Sequence, residues 1–515
     1  MEHGSAGLRI TPDDYRYPTL KRGFNPRWTA EPHYVQLVHT PDEVVEALRT
    51  ALAEEPATSD KKRITVRSGG HCYENFVCSD DVRVIIDVGL MNGVYYDSGM
   101  DAVCVEAGAS NWDIGEKIGK KLGKVLPGGS CNTVGAGGHI IGGGFGLFSR
   151  QHGLTVDYLH AVEVAVVTEQ GEVELVTAKH DSEDEDLKDL WWAHTGGGGG
   201  NFGVATRFWF RGLPHAPPGA YRVEAGWKWK DLLDNGYTDF HRIVTNFGDF
   251  FHNHQGKEGD RYADLFGILQ LTPSTHDKVG LLAQIDASIP EAKERLREFV
   301  DMIDETVATT LTDRPEAHGE HPVLTGSKEP VHVEWDKLQQ VGPLVNDESG
   351  KYKSAYLRKP LPDSQIQAMW NALTHPPDGI SHAVMQIDAY GSKVNTVSNT
   401  ETAMAQRDSV MKMQHQVYWK DGVDGTKPLE WIRNLYRTMY GWDTGVPVPN
   451  EVTDGCYINY PDVDVNDDKW NPSKTRWSEL YYKHNYPRLQ RAKKRWDPKN
   501  VFHHELSVEL PKDSA

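Results

Sequence analysis

Three features of this chain predict an α+β fold in two domains. Its 515 residues exceed what one ordinary hydrophobic core takes up. Its short β-branched strands and its helices mix without a regular strand–helix–strand rhythm. Its texture changes near Gly212, where the proline-rich stretch LPHAPPGAY divides a glycine-punctuated half from one in which long helices alternate with aromatic-rich strands.

HYVQLVHT reads as a strand, and Thr40-Pro41 with Asp42 and Glu43 in the first turn starts a helix that continues through VVEALRTAL. ITVRSGG, VRVIIDVGLMNGVYYD and DAVCVEAG read as short strands, and NWDIGEKIGKKLG as a helix with charges on its exposed face. LHAVEVAVVTEQGEVELVT reads as a hairpin turning at Glu169-Gln170-Gly171. Beyond the junction, KVGLLAQ, EAKERLREFVDMID and LPDSQIQAMWNALTH read as helices, and YRVEAGWKW, YADLFGILQLT and HAVMQIDAYG as strands. The expected arrangement is an antiparallel sheet with helices on one face. TDRPEAHGEHPVLTGSKEP (312–330) reads as a polar loop, and no segment repeats at a fixed period.

Hydrophobic residues make up 38% of the chain, enough for a globular protein, and a net charge of −19 argues against nucleic acid or an anionic membrane surface as partner. The N-terminal stretch has no apolar segment behind a basic one, and no uncharged apolar run approaches the ~18 residues of a membrane span, so a soluble, cytoplasmic protein is expected. Five cysteines do not make a disulfide framework in a chain this long, although Cys72 and Cys78 are near enough in sequence to pair. No P-loop, HExxH, paired CxxC or GxSxG pattern occurs, and His503-His504 would diverge on a strand, so no metal site is expected.

His71 and Cys131 each lie in a glycine-rich turn, RSGGHCYENF (67–76) and LPGGSCNTVGAGGHIIGGGFG (126–146). Such bare backbone lets N–H groups approach a pyrophosphate, and two reactive side chains on two such loops point to one large phosphate-bearing cofactor held from both sides. The loops resemble those of flavoenzymes of the berberine-bridge-enzyme and oligosaccharide-oxidase family, in which such a histidine bonds to the flavin 8α-carbon and such a cysteine to C6. VDYLHAVEVAVVTEQGEV, DLWWAHTGGGGGNFGVATRF, YINYPD and RWDPKNVFHHELS match in the family's order and frame nearly the whole chain. The resemblance implies FAD covalently bound to both His71 and Cys131. It also implies an FAD-binding fold of the vanillyl-alcohol-oxidase, or PCMH, type: residues 1–212 and 453–515 form the FAD-binding domain, and 213–452 a substrate domain whose antiparallel sheet is covered by helices.

Carried over position by position, the resemblance implies cofactor contacts from Arg67, Ser68, Gly69, Gly70, Gly128, Ser130, Gly135, Gly137, Gly138, Gly143, Gly200, Val204, Asn459 and Asn500, with Val134 where relatives control oxygen access. The catalytic candidates are Tyr457 and Tyr460 of YINY, which an extended backbone would place on opposite faces. Tyr460 matches the general base of the carbohydrate oxidases, whose phenol must be helped by a neighbour to act near neutrality. Asp388 sits where the oligosaccharide oxidases place a carboxylate that helps that base, and Tyr390 and Tyr440 are further candidates. RSGGHC, DLWWAHTGGGGGNFGV, KVNTV, VPVPN, YYKHNYPRL and HHELS are similar in particular to bacterial hexose oxidases that tailor glycopeptide antibiotics, which tend to carry GGGYG where this chain has Phe145. The implied reaction is oxidation of an alcohol or hydrated aldehyde on a sugar or secondary metabolite, with O2 as acceptor and H2O2 as product. Lactone formation on an oligosaccharide and oxidative cyclisation of an alkaloid-like substrate are the alternatives.

Overall fold

Three sheets carry the chain, each built from a different sequence texture. The computed structural model describes residues 6–54, 62–314, 323–338 and 348–512. In the first sheet, β1 (Leu8–Ile10), β2 (Tyr34–Leu37), β3 (Arg63–Arg67) and β4 (Val82–Asp87) lie in the order β1-β2-β4-β3. β2, β4 and β3 are parallel. The crossover between β2 and β3 is the helix Pro41–Ala53, capped by the Thr40 hydroxyl, which accepts from Glu43 N at 3.2 Å. This parallel unit departs from the expected absence of strand–helix–strand rhythm, and it explains why VRVIID is apolar almost throughout and buried at every position.

The second sheet is antiparallel: β5 (Val94–Asp97), β6 (Ala102–Glu106), β7 (Leu159–Val167), β8 (Val173–Lys179) and β9 (Val204–Phe210), in the order β5-β6-β9-β7-β8. The β7–β8 turn falls where expected, with Gly171 at φ 87° and Thr168 N donating to Glu172 O at 2.9 Å. NWDIGEKIGKKLG begins as the α-helix Asn111–Ile114 but continues as a π-helix, Gly115–Lys121.

The third sheet comprises β10 (Gly219–Lys228), β11 (Phe266–Leu271), β12 (Lys278–Asp286), β13 (Leu311–Asp313), β14 (Val331–Glu334), β15 (Glu348–Leu357), β16 (His382–Ala389) and β17 (Met411–Lys420). Its order is β13-β10-β12-β11-β16-β17-β15, with β14 also on β10, and every pair is antiparallel. KVGLLAQ is therefore strand β12 and not a helix. Covered on both faces, it reads as a continuous apolar run, which periodicity alone cannot tell from a buried helix. Helices Ala292–Ile303, Tyr237–Asn253, Asp363–Thr374 and Thr426–Tyr440 pack side by side in that order, the first on β10 and β12 and the last on β17 and β15. Of the loop 312–330, residues 315–322 lie outside the described residues. Beyond them, the backbone N–H groups of Leu324, Thr325 and Gly326 converge on the buried Glu224 carboxylate.

The C-terminal residues run back to the second sheet's helix, so that Tyr486–Trp496 packs against Glu185–Ala193. Buried Lys493 donates to the carbonyl of Asn201 at 2.8 Å and to Asp497 at 2.6 Å. At the β15 edge, Lys351 and Lys353 are buried against three carboxylates: Lys351 meets Glu74 and, at 2.7 Å, Asp462, and Lys353 meets Asp462 at 2.6 Å and Asp464 at 2.8 Å. Burial disfavours the Lys351 charge, but the surrounding carboxylates hold its pKa above the usual lysine value. None of the five cysteines forms a disulfide, and among the described residues no helix is long and apolar enough to cross a membrane.

Buried His194 and His415 make stability depend on pH. Burial lowers their pKa values from 6.5 to about 4 and about 3 respectively. As pH falls below about 6.5, the unfolded chain binds protons that the native state refuses, so stability declines toward acid. Thermal melts are expected to show a falling Tm from pH 7 to pH 5. His415→Gln should flatten that slope by about one proton's worth whatever its effect on Tm at pH 7.

Candidate active site

The site begins where β3 ends. Arg67 is buried and donates through Nε to Asp87 on β4 at 2.8 Å, which fixes the start of the loop that follows. Ser68 Oγ donates to Ala107 O at 2.6 Å. Gly69 then meets Gly135 of the second loop so closely that a Cβ on either would collide with the other's backbone nitrogen. The second loop leads into the short helix Ala136–Ile141 and is held by Ala136 N donating to Ala109 O at 2.7 Å and Gly137 N to Ala107 O at 2.9 Å. Glycine is thus required by the close crossing of two backbones.

This crossing brings His71 and Cys131 together. His71 Nε2 lies 2.9 Å from Thr133 Oγ1, and Cys131 Sγ lies 3.7 Å from the same oxygen. The His71 ring stacks on Phe24 with centroids 4.3 Å apart, and burial lowers its pKa to about 4, so the imidazole is neutral at physiological pH.

One large cavity takes in both side chains and runs between the two loops, the glycine run near residue 200, the third sheet and the C-terminal segment. Arg67, Ser68, Gly69, Gly70, Ser130, Val134, Gly135, Gly137, Gly138, Gly200 and Asn459 line it, as do Asp388, Tyr457 and Tyr460. Gly128 faces a smaller adjoining cavity, and Gly143 and Val204 stand behind the wall, Gly143 against Met404 and Val204 opening β9. Asn500 also lies outside the lining: it turns the chain at φ 52° after the last helix. Tyr390 is fully buried one layer back, its hydroxyl donating to Gln406 O at 3.0 Å, and Tyr440 ends a helix with its hydroxyl 3.9 Å from Met413 Sδ, so neither reaches the cavity.

Tyr457 and Tyr460 do not occupy opposite faces of a strand. Tyr460 N donates to Tyr457 O at 2.9 Å, closing a turn that sets the two rings edge to face with centroids 5.0 Å apart. Asn459 fixes the turn by donating Nδ2 to His139 O at 3.0 Å and Tyr457 Oη at 2.9 Å. Burial raises the pKa of Tyr457 well above a phenol's usual value.

Lys412, not anticipated from the sequence, is the fully buried centre of the group. Its ammonium donates to Tyr460 Oη at 3.0 Å, pairs with Asp388 at 2.9 Å, and lies 4.2 Å from the Phe145 ring centroid and 4.3 Å from that of Tyr460. Asp388 also accepts from Gln386 Nε2 at 2.7 Å, so the carboxylate acts on Tyr460 through the lysine. The pairing follows from register, because Asp388 stands opposite Lys412 across β16 and β17. His139 completes this wall, accepting from Gly129 N at 2.9 Å, its pKa lowered by burial and then by the Lys412 charge to about 4. His504, at the other end, stacks on Phe76 with centroids 3.9 Å apart. Among the described residues no group of three or more His, Cys, Asp or Glu could hold a metal.

The cavity fits a long cofactor with phosphates. Gly138 and Gly199 lie on its wall with nothing within 4 Å of where a Cβ would stand, so bare backbone faces open space at two separate places. Fold and cavity together define an FAD-linked oxidoreductase. Residues 32–177 match the family described as FAD binding domain, and residues 456–509 the family described as Berberine and berberine like. Aclacinomycin-N/aclacinomycin-A oxidase of Streptomyces galilaeus is 39% identical over 98% of this chain and 90% of its own length, and hexose oxidase of Chondrus crispus 36% identical over 97% and 94%. The crystal structure of a glycopeptide hexose oxidase complexed with teicoplanin superposes with a TM-score of 0.89 at 38% identity, covering 98% of both chains. The chain belongs to the berberine-bridge-enzyme-like family of FAD-dependent oxidases.

The crossing of the loops is testable. Gly69→Ala places its Cβ against immovable backbone and should cost about 1–3 kcal/mol or more. The expected result is a lower melting temperature together with a lower flavin-to-protein absorbance ratio, whereas Gly138→Ala, open on its Cβ side, keeps the melting temperature near that of the parent.

Proposed function

We propose that the protein oxidises a hydroxyl-bearing carbon, an alcohol or hydrated aldehyde, on a sugar or glycosylated secondary metabolite, with Tyr460 as general base and O2 as final acceptor. The observation that carries this reading is the ammonium of Lys412 at 3.0 Å from Tyr460 Oη. A cation donating to a phenol oxygen favours the phenolate, which is what a tyrosine needs to take a substrate proton near neutral pH. Among the described residues no cation donates to the hydroxyl of Tyr457, Tyr390 or Tyr440, and burial, which at Tyr390 outweighs the nearby Arg407 charge, holds their phenols protonated. FAD, when bound, supplies the two-electron acceptor at its N5 and the route for those electrons to O2. The chain's own part is to hold the substrate hydroxyl against Tyr460, to receive its proton there, and to attach the cofactor through His71 and Cys131.

The domain division at about Gly212 and residue 453 belongs to the same reading. It is supported by the first two sheets ending at Phe210 and the third starting at Gly219. The polar cavity floor formed by Gln386 and Asp388 suits a polyhydroxylated substrate better than an apolar amine. The oxidase relatives acting on aclacinomycin and hexose support the substrate class.

Tyr460→Phe keeps the ring and deletes the hydroxyl. Anaerobic flavin reduction by a sugar or glycoside substrate found by flavin bleaching should slow by about 10²–10⁴-fold, with Tyr457→Phe much milder. A loss of only a few-fold at Tyr460 would move the base elsewhere. Lys412→Met should shift the rising limb of the reduction rate to higher pH, since the phenolate then lacks its cation; an unshifted profile would remove Lys412 from the proton's path.

A further inference from the structure

We propose that Thr133 is the positioning residue for both covalent attachments, its single hydroxyl setting the tautomer of His71 and assisting the thiol of Cys131. The inference rests on the reading that FAD is bound to those two side chains. The turn that carries Cys131 and Thr133 is tight: Val134 N donates to Cys131 O at 3.3 Å, and Asn111 Nδ2 donates to the same carbonyl at 2.9 Å. This folds the Thr133 side chain back over Cys131, while the Thr133 carbonyl is pressed against Gly69 of the first loop. The hydroxyl thereby stands between the two nucleophiles, 2.9 Å from His71 Nε2 and 3.7 Å from Cys131 Sγ.

A neutral imidazole carries one N–H and one lone pair, and only the nitrogen with the lone pair can form a bond to carbon. The Phe24 stack fixes the plane of the His71 ring, so the partner of Nε2 decides which nitrogen that is. A hydroxyl can donate or accept, and the sulfur on its other side breaks the symmetry. With Oγ1–H directed at Sγ, the oxygen lone pairs face Nε2, which becomes the N–H and leaves Nδ1 as nucleophile. The same orientation gives the sulfur a donor that favours its thiolate, the reactive form. One relay, Nε2–H to Oγ1–H to Sγ, thus readies both groups.

The attachment balances as an oxidation. At His71 an N–C bond forms between Nδ1 and the 8α-carbon, while one methyl C–H and the Nε2–H are lost; at Cys131 an S–C bond forms at C6, while S–H and C6–H are lost. Each link releases two electrons and two protons, which one O2 takes up as H2O2. Thr133 Oγ1 accepts the hydrogen bond from Nε2–H until that proton leaves as one of the two taken up in H2O2.

The test compares Thr133→Val, which keeps the shape without the hydroxyl, and Thr133→Ser, which keeps the hydroxyl, with the parent protein. Proteins are purified with their flavin, acid-precipitated, and mapped for flavin-bearing peptides by mass spectrometry. The parent and Thr133→Ser should carry one flavin joining the His71 and Cys131 peptides. Thr133→Val should be yellow in the native state yet form each link at least tenfold more slowly during aerobic incubation, and incubation at pH 9 should restore the Cys131 link more than the His71 link, because hydroxide replaces the donor's help to the thiol but does not set a tautomer. Full linkage of both peptides in Thr133→Val at the parent rate overturns the role of Thr133. Should Thr133→Val fail to fold, Thr133→Ala read in the same way decides. Parent protein that releases all its flavin on acidification overturns the attachment reading itself.

Discussion

The architecture hangs on the buried charge cluster at the edge of β15. Lys351 and Lys353 tie Glu74, just past His71, to Asp462 and Asp464, just past Tyr460. Arg433 adds a bidentate pair to Asp464 at 2.6 and 2.9 Å. Such a cluster is a poor source of net stability, because desolvating the ions offsets most of their attraction, but leaving one of its charges without a partner costs about 3–5 kcal/mol. Its effect is therefore on alignment: a shifted loop would strand a charge in the core. The cofactor loop and the tyrosine turn are held to a common reference on the third sheet, and the stack of Tyr73 on Tyr352, with centroids 3.6 Å apart, extends that reference toward the cavity.

The chemistry of the pocket depends on a second buried cation used differently. Lys412 is compensated by one carboxylate and surrounded by aromatic faces, an environment in which its charge is screened little and acts strongly on the nearest phenol. Phe145 contributes its ring face and no hydroxyl, so it holds the ammonium without competing with Tyr460 for its protons.

Much of this was legible in the sequence where a residue type has one strong local reason to be present. The glycines of the two loops, the Thr40 cap and the turn at Gly171 are such places. What escaped was set by partners distant in the chain. MKMQHQVYWK alternates in the manner of a half-exposed strand, and nothing in it shows that the polar face is buried as well or that Lys412 stands opposite Asp388. The spacing of YINY fits an extended strand, whereas the Asn459 amide, bonded to a carbonyl on a helix far earlier in the chain, winds it into a turn. Tyr390 and Tyr440 are tyrosines near the right strands, but side-chain direction puts them a layer behind, and a single sequence carries no signal for that. KVGLLAQ failed for the opposite reason: burial on both faces erases the alternation that identifies a strand.

The back-running tail bears on the life history of the enzyme. The cavity wall includes residues 502–504 and is braced by Lys493, so this side of the pocket is supplied by residues that follow both glycine loops and all three sheets in the chain. Contacts of such long sequence separation form late, after the intervening loops have been closed. Without residues 486–512 both glycine loops and the first two sheets would be complete in sequence, but the pocket would lack this side. The two attachment residues and the enclosure in which they work therefore come from widely separated parts of the chain.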